Sequence, residues 1–82
     1  MHNIFNVISD MEVRFPSHTF SVAESHNTGF WVAIITRGNR NMTIELDIDY
    51  HQESVMVAVL HNQGFMRSEF TRILDSLLNS FD

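Results

Sequence analysis

The chain has no cysteine and, although it carries five basic residues, no lysine: all five are arginines. Without cysteine there is no disulfide framework, no thiol nucleophile and no thiolate metal site. Ten acidic residues oppose the five arginines, and the net charge of −5 repels phosphate backbones and anionic lipid. Direct nucleic-acid and membrane binding are therefore not expected. The same charge suits a partner with a basic surface, although acidity also serves solubility alone. The three glycines, Gly29, Gly38 and Gly64, stand in separate turns, so there is no glycine-rich phosphate loop. No stretch approaches the roughly 20 apolar residues of a membrane span. The segment Met1–Phe5 lacks the basic start of a secretory signal, and a cytoplasmic location is expected.

An 82-residue chain has room for one domain, residues 1–82, and one core. A chain of this length buries only roughly 60–65% of its unfolded surface, so a partner or second copy would add usefully to its stability.

Hydrophobic periodicity divides the chain into six elements. Ile4, Ile8 and Met11, widened by Phe5 and Val7, predict a helix over 3–12. Val13 and Phe15 alternate up to the only proline, Pro16, which marks a break or an edge. Phe20 and Val22 alternate with polar neighbours in a strand near 18–24. Phe30–Thr36 is rich in aromatic and β-branched residues and predicts a second strand. Arg37-Gly38-Asn39-Arg40-Asn41 has the chemistry of a tight hairpin turn. Met42, Ile44, Leu46, Ile48 and Tyr50 then alternate with Thr43, Glu45, Asp47 and Asp49, and Val55–Leu60 forms a last strand that is apolar on both sides. Ser68 is a candidate N-cap, with Glu69 favouring the helix dipole. Phe70, Ile73, Leu74, Leu77, Leu78 and Phe81 carry a helical stripe nearly to the C-terminus. The expected fold is α+β: a single-layer antiparallel sheet of about four strands in the order α-β-β-β-β-α, packed by an N-terminal and a C-terminal helix.

Two of these strands are greasier than a half-buried sheet requires. A two-residue turn at Gly38-Asn39 sets Thr43, Glu45 and Asp47 opposite Ile34, Val32 and Phe30. A three-residue turn instead puts the acids on the face of Trp31, Ala33 and Ile35, because a one-residue slip exchanges the faces. Either way apolar side chains adjoin carboxylates. The final strand adds Val55, Val57 and Val59, or Met56, Ala58 and Leu60. Two readings compete: the first helix roofs this second face, or the face docks a partner or a second copy, an apolar centre with a charged rim being the anatomy of an interface.

Glu45, Asp47 and Asp49 lie about 6.5–7 Å apart along one strand face. They form either the solvated side of the strand or an acidic comb for arginines and lysines. A divalent cation on Asp47 and Asp49 is a weaker reading, since D-x-D alone is a weak motif. His2, His18, His26, His51 and His61 fall at loops and strand ends without zinc spacing and read as surface histidines. Arg37 and Arg40 bracket the hairpin tip, either as anchors for a partner's carboxylate or as solubilising charges. Trp31 is a hot-spot candidate if exposed and a core residue if not. No Ser/His/Asp arrangement or cofactor motif stands out, and neither an enzyme nor a bound cofactor or metal is expected.

In layout, this small acidic α+β chain resembles the immunity proteins that neutralise bacterial toxins, and small phage-encoded inhibitors of bacterial defence. The likeness is one of architecture; no motif here matches a family signature, and no residue roles are carried over. It implies a protein that binds and occludes a basic, nucleic-acid-handling surface, with Glu45, Asp47, Asp49, Trp31, Arg37 and Arg40 as candidate contacts. The alternatives are an acidic dimeric secretion or assembly chaperone that pairs through its sheet face and, more remotely, an uncharacterised enzyme or metal-binding domain.

Overall fold

The computed structural model describes residues 1–82. Helix α1 (Ile4–Arg14) is followed by strands β1 (Thr19–Glu24), β2 (Phe30–Arg37), β3 (Arg40–Asp49) and β4 (Ser54–Gln63), then helix α2 (Arg67–Ser80). The strands form one antiparallel sheet in the order β1-β2-β3-β4, with β1 and β4 as its edges. The α-β-β-β-β-α order and the antiparallel sheet are as expected from periodicity.

Helix α1 starts at Asn3, whose side-chain oxygen accepts from the Asn6 amide at 2.9 Å and so satisfies an otherwise unpaired first-turn donor. It buries Ile4, Val7, Ile8 and Met11, one face of a 3.6-residue period. Its last turn closes with the Phe15 amide donating to the Met11 carbonyl. Pro16 then ends it, since proline lacks an amide hydrogen and disfavours helical backbone in the preceding residue. Helix α2 begins one residue before the expected cap. Met66 holds the N-cap position with no side-chain hydrogen bond, and Ser68 lies inside the first turn, so the capping role expected of Ser68 is not realised.

The β2–β3 connection is a two-residue turn, with Arg37 paired to Arg40 across Gly38-Asn39. Gly38 adopts φ +60° and Asn39 does not, the pattern of hairpin turns that need positive φ only at the first central residue. This decides the sheet's parity. Ala33 and Ile35 pair with Ile44 and Met42, and all four are buried in the core with Leu46. The core also contains Ile4, Val7, Ile8 and Met11 of α1 and Ile73, Leu77 and Phe81 from α2 and its C-cap. Both helices therefore cover the same face of the sheet, and α1 does not roof the other. The two ends of the chain meet through the His2 amide, which donates to the Phe81 carbonyl at 3.1 Å. The Ser80 hydroxyl donates to Asp10 across the helix pair at 2.7 Å. Neither helix is long and apolar enough to cross a membrane.

One carboxylate pins the hairpin end of the molecule. The Glu69 side chain, only 10% exposed, receives His18 Nε2 (2.8 Å) and Arg37 (2.9 Å) on one oxygen and Arg40 (3.2 Å) on the other. It thereby ties the start of β1 and both sides of the β2–β3 turn to the first turn of α2. His18 was expected at the surface; it is buried, stacked on Phe65 with centroids 5.9 Å apart, and its Nδ1 has no hydrogen-bond partner. Burial alone pushes the Glu69 carboxyl up, but hydrogen bonds and charge from Arg37 and His18 outweigh it, holding the group below its ordinary 4.5. A depressed carboxyl contributes stability that is present above 4.5 and lost as pH falls through its folded-state value. Glu69→Gln should therefore lower stability at neutral pH by about 1–3 kcal/mol, as expected for removing a charge-assisted acceptor. In denaturation at stepped pH, the gap between variant and parent should close below 4.5; a gap independent of pH would contradict the assignment.

Candidate functional site

The face turned away from the helices is built by the alternate residues of all four strands. Across β2 and β3, Phe30 pairs with Asp47, Val32 with Glu45 and Ile34 with Thr43, and across β3 and β4, Asp47 pairs with Met56 and Glu45 with Ala58. One row thus runs Phe30–Asp47–Met56 and the next Val32–Glu45–Ala58, an apolar residue on each side of each acid. Met56 is 71% exposed and Ile34 is 42% exposed. The small side chain of Ala58 leaves a shallow hollow of about 180 Å³, lined by Phe30, Glu45, Asp47, Met56, Val57 and Ala58.

The three carboxylates of this face are not equivalent. Glu45 accepts from the Ser25 hydroxyl at 2.9 Å and the Asn27 side-chain amide at 3.2 Å, so it holds the β1–β2 loop against the sheet. Asp49 accepts from the backbone amides of His51 (3.0 Å) and Gln52 (3.1 Å), a side-chain cap on the β3–β4 turn. Asp47 has no hydrogen-bond or ion-pair partner. The row expected as a comb of three acids is one free carboxylate between two that are already engaged, with apolar groups on both sides of it.

The remaining candidates lie elsewhere. Trp31 pairs with Leu46 on the helix side and meets Phe5 edge-on at 5.6 Å between centroids. The two-residue turn puts it on the opposite parity from the acids, so it is no neighbour of theirs. Arg37 and Arg40 both donate to Glu69 at the far end of the strands, away from the three acids, and their side chains remain 47% and 40% exposed. Phe30, Met56 and Ala58 were not singled out as contacts. The signal for them was the hairpin parity, which composition alone leaves open between two choices.

Charge is separated along the strands. Glu24, Glu45, Asp47, Asp49 and Glu53 lie toward the β1–β2 loop and the β3–β4 turn, with no arginine among them. Arg37 and Arg40 flank the hairpin, Arg67 opens α2, Arg14 closes α1, and Arg72 lies over the Phe15 ring at 5.3 Å. All five arginines thus gather toward the opposite end, Arg37 and Arg40 on Glu69 and Arg14 on Asp10. Nowhere do three His, Asp or Glu side chains converge closely enough to hold a metal ion. What the acidic end can do is attract a cationic surface and bury apolar groups beside it.

Asp49→Ala should cost about 1 kcal/mol, since it unpairs two turn amides. Asp47→Asn, which breaks no contact, should stay within about 0.5 kcal/mol of the parent. Urea denaturation of the two variants checks both, and equal losses would contradict the division of roles. Compared with protein-family models, curated proteins and solved structures, the chain finds no match in any of the three.

Proposed function

We propose that this chain binds and blocks another protein, docking the acidic end of its open sheet face onto a basic surface that handles nucleic acid. The observation that carries the reading is that both helices pack on one side of the sheet. Phe30, Val32, Ile34 and Met56 are left beside a free carboxylate with neither helix above them. An apolar centre bordered by charge suits a docking surface. The separation of acids from arginines adds an orienting field, so a basic partner meets the Asp47 end first. Attraction speeds encounter, while burial of Phe30 and Met56 supplies most of the lifetime. A bacterial immunity protein or a phage-encoded anti-defence inhibitor, acting in the cytoplasm, is the class of protein this describes. Occluding a basic site needs no catalytic group on the inhibitor.

The dimeric chaperone reading draws on the uncovered edge of β4. It differs in the partner, an unfolded client segment held by apolar contact and indifferent to salt.

The test starts with partners captured from the native host, followed by association kinetics at several ionic strengths. Asp47→Lys should slow association about tenfold at low salt and flatten its salt dependence, the size expected when steering is removed. Met56→Ala should leave the on-rate unchanged and raise the off-rate several-fold. A partner whose kinetics neither substitution alters would remove the face from consideration. Salt-independent capture of unfolded segments would favour the chaperone.

A further inference from the structure

We infer that two copies of this chain associate through β4, edge to edge and antiparallel, into a continuous eight-stranded sheet. Of the two sheet edges, β1 is short, six residues, and α1 packs directly against it. Strand β4 is ten residues long, pairs only with β3, and contains no Lys, Arg, Asp, Glu or Pro. These are the residues by which natural edge strands are guarded; here a bulge at Leu60, where Thr43 pairs with His61 and Ile44 with Val59, interrupts only the last third. The unguarded stretch, Ser54–Val59, leaves its outward amides and carbonyls without protein partners.

Both layers beside this edge are apolar. On the helix side Val59 is 40% exposed and Leu78 of α2 is 39% exposed. Leu74 and Leu78 lie on the flank of α2 opposite Ser80, the residue that touches α1. On the open side Met56 is 71% exposed, and Leu60 at the bulge is 57% exposed. A second copy fits such a strip because a twofold axis makes an antiparallel edge self-complementary. With the axis at Val57, Val55 of each copy lies opposite Val59 of the other, and Met56 opposite Ala58, a long side chain over a short one. Each copy carries −5, yet the acidic rows on the two β3 strands would stand three strand spacings apart, about 14 Å. That exceeds a screening length of about 8 Å at physiological salt. With the axis at Val57 the two strands overlap over Ser54–Leu60, about 23 Å, and the molecule is 19 Å through its thinnest direction. An edge of those dimensions offers on the order of 450 Å² per copy, the size of a weak interface that fills only as concentration rises.

Light scattering of the unmodified chain across a concentration series should give the mass of two chains, with hydrogen exchange of the Val55–Val59 amides slowed as the dimer fills. Because the chain has no cysteine, single cysteines report the axis directly. Directly opposed residues lie about 4.5–5.5 Å apart, within disulfide reach, so Val57→Cys should cross-link to itself under mild oxidation while Ala23→Cys on β1 does not. A one-chain mass at every concentration would overturn the inference. So would a dimer with fast-exchanging β4 amides, or one that cross-links faster through Ala23→Cys.

Discussion

The parity of one turn decides what every strand shows to the helices and what it shows to solvent. With two residues between Arg37 and Arg40, the even positions of β3 and the odd positions of β2 share the inner face. A third residue in that turn would send Phe30, Val32 and Ile34 inward and expose Trp31, Ala33 and Ile35. The strands allow either choice, because β2 is apolar on both sides. The frame in which the turn makes that choice is β3, where Met42, Ile44 and Leu46 alternate strictly with polar residues and cannot be turned outward without burying carboxylates. The strand with the clean alternation therefore sets the orientation, and the ambiguous strands follow it through the register. The surplus apolar residues of β2 and β4 are displaced to the far side, and so the open face carries them.

Glu69 organises charge as parity organises the apolar groups. A carboxylate this enclosed requires compensation, and Arg37, Arg40 and His18 supply it. With two of the five arginines committed to Glu69 and the others nearby, the opposite end has no counter-charge for its five acids. The acidic end of the open face is in this sense a consequence of how the hairpin end is locked. Glu45 and Asp49 keep their charge but already accept hydrogen bonds from the loops, which leaves Asp47 as the carboxylate with both oxygens open to an incoming cation.

Much of this fold is legible from residue order, because periodicity is a local property. The stripe of Ile4, Ile8 and Met11 marks α1, the alternation of Met42–Tyr50 marks β3, and the run from Phe70 to Phe81 marks α2, each within a few residues of its observed bounds. Strand β4 runs three residues beyond its apolar stretch, because the bulge at Leu60 breaks the alternation and His61-Asn62-Gln63 pair while looking like loop. The site was less legible. Burial of His18 and its bond to Glu69 join residues 51 apart in the chain, and no spacing rule reaches that far. The same holds for Glu45, drawn to Ser25 and Asn27, and for Arg37 and Arg40, whose place at a hairpin tip reads equally as solvated charge. Asn3 shows the converse: its capping role is local, a polar residue directly ahead of the stripe of Ile4, Ile8 and Met11.

The open face and the open edge ask for different company, and their chemistry keeps the two requirements apart. A surface with an unpaired carboxylate at its centre is poorly suited to its own copy, since like charges would meet across a desolvated gap. An uncharged strand edge has no such penalty and already matches itself under twofold rotation. The face therefore selects an oppositely charged partner and the edge selects a second copy, sharing only Met56, Val57 and Ala58 of β4. Met56 is where they meet: it flanks Asp47 on the open face and lies on the edge strand. Two copies joined at β4 would bring two such methionines and two Phe30–Asp47 pairs onto one sheet surface. That doubles the apolar area available to a basic partner while each acidic row stays beyond the screening distance of the other.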